Sequence, residues 1–441
     1  MIRIILIALM SFVVNTFSKD FSNISNERIK QSDVFLPRPQ KVVVSNSKND
    51  ILIKNPVKEI TIMVFMNVKN DFYDAAVMAL NEMEIIGSSD KVNIIAETGR
   101  RYINRDGKWE QGVRRFYIQK DTDEQINSKI VFKTNSYDMR GYKRAIEFVK
   151  WTKKKFPAKR YILILWEHGE WLDTEEGANK NIPAEEIGKI VRESGGVDIL
   201  AFDGCLMQMA EVLTEVKDYT KIVVGSEETV AGYGYPYSFL LDAIVKNPNM
   251  SNEDIAKVIV ESFDLFYDEG VIPATLSAVR SDKVAKLNIL LSDFAKSAMQ
   301  ADEIEALKKA KNEVIRFDIF GKSDDPYKKL SFFADIYNFV DIVSKNISRK
   351  DKKSLKLKEK ADSLKRFIEN ELVIIRRGSL VDRTGKSYEE LAYGVSIFIP
   401  PVSVLPLEEI DLMLGVPYSS FKFARETGWS DFVKFIYEKT K

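Results

Sequence analysis

Long apolar runs along the chain alternate with segments whose apolar residues recur every three or four positions. The run "EITIMVFMNV" (Glu59–Val68) predicts a strand buried on both faces. Ala75, Ala76, Met78, Ala79, Leu80 and Met83 then share the stripe of a following helix. "KVNIIAET" (Lys91–Thr98) and "VRRFYIQ" predict two more strands, and a helix is expected over about 140–154, where Ala145, Ile146, Phe148 and Val149 recur. "YILILW" (Tyr161–Trp166), "VDILAFD" (Val197–Asp203), "TKIVVGSEE" and "ATLSAVR" continue the series, and "YGVSIFIPP" (Tyr393–Pro401) adds a late strand. This order predicts an α/β fold with a mostly parallel central sheet covered by helices on both faces. Beyond about residue 300 the pattern is mainly helical, closed by a helix that Trp429, Phe432 and Phe435 anchor.

Two of these strands frame a crossover. Between "YILILW" and "VDILAFD" lies "NKNIPAEEIGKIVRESGG", in which Pro183 opens a helix, Ile187, Ile190 and Val191 give it an apolar stripe, and Gly195-Gly196 end it. A strand–helix–strand unit makes its two strands parallel and neighbouring. The only histidine of the chain, His168, is then expected two residues past the C-end of the first strand. The only cysteine, Cys205, is expected two residues past the C-end of the second. Reaction sites of open parallel sheets lie along that edge.

Composition narrows the field. The 441 residues carry 66 basic and 65 acidic side chains, 45% apolar residues and 30% charged ones, an ordinary globular balance that favours neither nucleic acid nor an anionic membrane as partner. The Lys-rich run "SRKDKKSLKLKEKADSLKRF" spaces Leu355, Ala361, Leu364, Phe367 and Ile368 as a helix would, and reads as a solvated helix face. At the N-terminus one arginine precedes an apolar run, Ile4 to Val14, too short to span a bilayer and suited to a signal peptide cleaved near Ser18. An uncleaved membrane anchor is the other reading of that segment. Export to the secreted, periplasmic or cell-surface space follows, and a single cysteine leaves no intrachain disulfide.

A thiol beside an imidazole is a chemically useful pair. An ordinary thiol titrates near 8.5, and the imidazole takes its proton or stabilises the thiolate. The backbone N–H groups of Gly169 and Cys205 would converge on an oxyanion, and Gly169 leaves the main chain open to a carbonyl. Other chemistries fit worse. One His and one Cys do not make a usual zinc set, there is no G-x-S-x-G elbow, and "AGYGYP" lacks the lysine of a phosphate loop. A non-catalytic exported binding protein is the alternative from another class.

An apolar strand ending in His-Gly, followed by one ending in Asp-x-Cys, resembles the caspase-like cysteine endopeptidases, and the finer resemblance is to the clostripain family. It is carried by "FMNVKNDFYDAAVMALNEME", "FPAKRYILILWEHG", "DILAFDGCLMQMAEV", "VVGSEETVAGYGYPY", "YGVSIFIPP" and "FARETGWSDFVKFI", across about residues 57–438. The resemblance implies a caspase-like αβα sandwich and a cysteine endopeptidase acting on protein or peptide substrates, with His168 and Cys205 as its dyad. With the pattern along the chain it gives this organisation: signal peptide 1–18, a leader or pro-like arm 19–55, a peptidase core 56–300, and a helical region 301–441 with the strand 393–401. It also implies an acidic pocket that selects Arg or Lys at P1, with Asp203 contributing, although Asp203 could equally tie down its loop through backbone N–H groups. Where relatives offer a second acid this chain has Gly232 and Tyr233. Glu227 and Glu228 either compensate as substrate-binding acids or are solvated loop charges. In some relatives a cut between the two catalytic blocks matures the enzyme, and Lys180 in "GANKNIP" is the basic candidate for such an autocleavage. No cofactor is required on this reading. Calcium occurs in relatives, but no acidic cluster here has a recognisable ligand spacing. A monomer is expected.

Overall fold

The alternation seen in the sequence builds a sheet whose middle is parallel and whose margins are not. The structure, a computed structural model, describes residues 56–440 apart from 68–72, 100–101, 104–108, 111, 124, 135–141, 170–182, 231, 233, 269–272, 318–331, 383–384, 401–410 and 412–415. The expected signal peptide 1–18 and arm 19–55, Lys180, Tyr233 and the side chains of His168 and Gly169 therefore lie outside what is described.

In chain order the sheet strands are β1 (Lys58–Met66), β2 (Val92–Gly99), β3 (Val113–Tyr117), β4 (Lys129–Thr134), β5 (Ala158–Gly169), β6 (Ile199–Cys205), β7 (Ile222–Gly225), β8 (Ala274–Arg280) and β9 (Val373–Ser379). The helices that matter are α1 (Tyr73–Ile86), α2 (Tyr142–Lys155), α3 (Ala184–Glu193), α4 (Ala210–Val216), α5 (Tyr237–Lys246), α6 (Asn252–Asp268), α7 (Val284–Ala301), α8 (Ile304–Glu313), α9 (Ile336–Asn346), α10 (Lys352–Phe367) and α11 (Trp429–Lys439). Across the sheet the order is β9-β8-β7-β6-β5-β1-β2-β3-β4. The five central strands, β7 to β2, pair in parallel, while two strands on each margin pair antiparallel.

Alternation along β5 and β6 separates two cores. Leu163, Leu165, Leu200 and Phe202 enter the cluster built with α2, α3, α4 and the C-terminal helices. Ile162, Ile164, Ile199 and Ala201 enter the cluster built with α1, α5 and α6. The crossover α3 is N-capped at Pro183, buries Ile187, Ile190 and Val191, and is followed by Gly195 and Gly196 at φ +81° and +71°. These left-handed values suit glycine. At Gly196 a Cβ would also lie 2.9 Å from the Tyr219 carbonyl oxygen.

Two expectations are corrected. In α10 the buried stripe runs through Leu357, Ala361, Leu364 and Phe367, and Leu355 is 56% exposed, because the helix starts at Asp351, whose side chain accepts the N–H groups of Lys353 and Ser354. The late strand is only Ser396–Phe398 and lies outside the main sheet, in a small sheet with Phe333–Asp335 and Arg316–Phe317. Gly394, at φ +97°, turns the chain before this strand. Its neighbours then bond elsewhere: the Ser396 N–H donates to Gln208 and the Ile399 N–H to Phe332.

Candidate active site

The crossover predicted from sequence brings β5 and β6 side by side in parallel. Trp166 stands opposite Asp203 and Gly169 opposite Cys205, with the ladder irregular between Trp166 and Gly169. Both strands run on through the two singletons instead of ending two residues before them. Pairing continues because the backbone of β5 meets that of β6 whatever the polarity of the side chains.

Cys205 is half-buried and in no disulfide. Its sulfur accepts the Val230 N–H at 3.3 Å and makes a long, weak S–H contact of 3.7 Å to the Val230 carbonyl. The next residue, Leu206, is a non-glycine at φ +56°, a backbone state that costs on the order of 1 kcal/mol and persists only where its surroundings enforce it. They do so here. The Leu206 N–H donates to the Glu228 carbonyl at 3.2 Å. Its side chain is buried in a small cluster with Ile315, Phe317, Tyr388 and Ala392, against which Cys205 packs. Gln208 N–H donates to Ser226, so two rungs hold the segment after Cys205 to the loop that follows β7.

Asp203 is 2% exposed. One carboxylate oxygen, Oδ2, accepts the Tyr235 N–H at 3.0 Å and the Tyr237 hydroxyl at 2.8 Å, so Asp203 does tie a loop to β6. The other, Oδ1, has no hydrogen-bond partner among the described residues. Burial raises its pKa to about 7, and the negative charge of Glu82 adds to the rise. Gly234 makes this loop possible. At φ +65° it takes the left-handed state, and a Cβ there would come within 2.6 Å of Asp203 and 2.9 Å of the Trp166 indole nitrogen.

Glu82, on α1, is an acid the sequence reading missed. It is half-buried, accepts the Ser238 N–H at 3.4 Å next to Tyr237, and is also raised to about 7 by burial. The available signal was a carboxylate set among Ala79, Leu80 and Met83 on an apolar helix.

Glu227 and Glu228 are not solvated loop charges: both are buried, at 1% and 7% exposure. Glu227 accepts the Gly394 N–H at 2.9 Å, and burial, with the negative charge of Asp335 nearby, pushes it well above the usual carboxylate range. Glu228 accepts the Tyr388 hydroxyl and the Thr229 N–H. The segment 388–394 covers the loop and keeps water from both acids. Gly232 is exposed. Among the described residues no group of three or more His, Cys, Asp or Glu is arranged to hold a metal ion.

Comparison with known proteins adds to this geometry. The model of the Clostripain family matches residues 64–434. Clostripain of Hathewaya histolytica is 22% identical over 432 residues, covering 85% of this chain and 80% of that protein. A secreted C11 cysteine protease from Bacteroides thetaiotaomicron, "iotapain", superposes with a TM-score of 0.61 at 14% identity, over 84% of this chain and 99% of that one. An inactive zymogen C11 protease from Parabacteroides distasonis gives 0.59 at 16% identity over the same shares. At these identities the solved structures share the fold, an αβα sandwich with a mixed central sheet and a helical C-terminal region.

Proposed function

The chain belongs to the Clostripain family and is a cysteine endopeptidase, and from that premise we propose that Cys205 is the nucleophile and His168 its general base and acid. The observation that carries this reading is the pairing of Gly169 with Cys205, which brings the His-Gly and Cys backbones together on neighbouring parallel strands. On this reading His168 removes the Cys205 proton and the thiolate attacks the scissile carbonyl. The N–H groups of Gly169 and Cys205 receive the oxyanion, and His168 returns the proton to the leaving amine. Water, deprotonated by His168, then releases the acyl group and restores the thiol.

A basic P1 residue suits the pocket. Asp203 keeps one buried carboxylate oxygen without a partner among the described residues, and Glu82 lies within electrostatic reach of it. A guanidinium or ammonium would satisfy the open oxygen and favour both ionised acids. Glu227 and Glu228, by contrast, are bonded to the protein's own segments and lend this pocket less. Secretion is part of the proposal, supported by the N-terminal apolar run and by a similar protease described as secreted. No helix among the described residues is long and apolar enough to cross a membrane. Self-processing near Lys180, the basic residue of "GANKNIP", belongs to the same reading.

The test is a fluorogenic panel with Arg, Lys, Asn, Asp or Leu at P1, run on the wild type, Cys205→Ala and His168→Ala. Cleavage after Arg and Lys that both substitutions abolish is the expected result. Undiminished cleavage by Cys205→Ala overturns the assignment of the nucleophile.

A further inference from the structure

The loop that follows β7 touches the reactive sulfur from one side and the C-terminal third of the chain from the other. Its Val230 N–H donates to the Cys205 sulfur at 3.3 Å. Two residues earlier its Glu228 carbonyl accepts the Leu206 N–H at 3.2 Å, holding the left-handed turn that presents Cys205. The backbone of this loop is fixed below by Thr275, whose hydroxyl accepts the N–H groups of Glu227 and Glu228, both at 3.1 Å. Above, the Tyr388 hydroxyl donates to the Glu228 carboxylate. The Tyr388 ring is itself immobilised, 3% exposed and stacked on Phe317 with centroids 5.9 Å apart, inside the cluster that also buries Leu206.

An N–H aimed at sulfur favours the thiolate over the thiol, and so lowers the thiol pKa, provided its position is held. Thr275 holds the N-terminal part of the loop. The C-terminal region grips the loop at two side chains, Glu227 through the Gly394 N–H and Glu228 through the Tyr388 hydroxyl, and Glu228 is the nearer to Val230.

We propose that Tyr388 is a positioning residue for Cys205: through Glu228 it fixes the loop whose Val230 N–H donates to the reactive sulfur. This rests on the reading of Cys205 as the nucleophile. It gives the mainly helical region after residue 300 a direct part in setting the nucleophile. Tyr388 acts through the hydrogen bond that its hydroxyl donates to Glu228.

The test titrates the Cys205 thiol by its rate of alkylation with iodoacetamide from pH 5 to 10, a readout that needs no hydrolysis. Tyr388→Phe keeps the ring and its stacking and removes only the hydroxyl. It is expected to move the titration up by about one unit, so that alkylation well below the thiol pKa slows about tenfold. In hydrolysis kcat should fall while KM stays. Glu228→Ala should produce the same upward shift, and the double variant no more than either single one, because both cut one connection. Circular dichroism and the unfolding midpoint of each variant show that the folded protein is being titrated. A packing role alone would lower the midpoint and leave the titration in place. An unshifted titration in Tyr388→Phe, or additive shifts in the double variant, overturns the proposal and leaves the nucleophile assignment intact. Hydrolysis that survives Cys205→Ala removes the nucleophile reading and this role with it.

Discussion

Asp203→Asn is the substitution that separates pocket chemistry from nucleophile chemistry. The change is mild for the fold. Asparagine keeps one oxygen where Asp203 Oδ2 accepts the Tyr235 N–H and Tyr237 hydroxyl, and its amide nitrogen falls where Oδ1 has no partner among the described residues. What it removes is the charge. In the wild type that charge switches near neutrality, because burial and the nearby Glu82 raise the carboxyl to about 7. A carboxyl titrating there is about one tenth ionised at pH 6 and about nine tenths at pH 8. If only the ionised form holds a guanidinium, the preference for Arg over Leu at P1 grows about tenfold across that interval. Taking the ratio of kcat/KM for an Arg and a Leu substrate cancels the ionisation of Cys205 and His168, which both substrates require equally. In Asp203→Asn the ratio should drop at pH 8 by about 10- to 150-fold, the worth of a hydrogen bond to a charged group, about 1.5–3 kcal/mol. The pH slope should shrink to whatever Glu82 supplies. A flat ratio in the wild type, or a ratio that Asp203→Asn does not change, would refute the pocket.

Two further predictions concern stability. Glu211 accepts the Phe398 N–H and the Tyr418 hydroxyl through one oxygen, its other oxygen has no partner among the described residues, and burial raises it from its ordinary 4.5 to about 7. Between those values the native state binds more protons than the unfolded one, so stability falls as pH rises through the window and levels off above it. Urea titrations from pH 5 to 8 should show the wild type losing about 2.5 kcal/mol relative to Glu211→Gln, and parallel curves for the two proteins would defeat the assignment. Arg115 is fully buried, paired with Glu97 and Glu147, and stacked against Phe132 and Trp151. Arg115→Met leaves buried Glu97 with Arg144, at 2.8 Å, as its one cation among the described residues, and a loss of about 3–5 kcal/mol in urea unfolding is expected.

The sequence made the centre of this fold legible for one reason: β1, β2, β5 and β6 are buried on both faces, so each holds a stretch of consecutive apolar residues, Ile62–Met66, Ile94–Ala96, Ile162–Trp166 and Ile199–Phe202. At the margins that signal disappears. The half-exposed β4 reads "KIVFKT" and β9 reads "VIIRRGS", and neither separates from a loop by periodicity. The two singletons were legible because the crossover between them carries its own start and stop, Pro183 and Gly195-Gly196. The acids were not. Glu228 meets Tyr388 across 160 positions and Glu227 meets Gly394 across 167, and no local pattern reports a partner so distant. Adjacent carboxylates after a strand look like solvent-facing charge, and only the segment folded over them makes them buried.

That burial bears on how a thiolate and a set of acids coexist. A negative charge two residues from Cys205 would raise its pKa and oppose the chemistry proposed for it. Desolvation holds Asp203, Glu82 and Asp335 at about 7 and raises Glu227 well above the usual carboxylate range, so on the acidic side of neutrality most of this charge is absent. A cationic P1 side chain changes the balance only inside its own complex. It draws Asp203 into the ionised form and neutralises it in the same contact, so the sulfur gains no net unfavourable field. A neutral P1 residue leaves the open oxygen unsatisfied, and above pH 7 it leaves the ionised acid unpaired as well. The proposed selectivity for a basic residue and the tolerance of an acid beside the nucleophile then have one physical origin: a buried carboxyl whose charge is largely absent below pH 7 unless a cation pairs it.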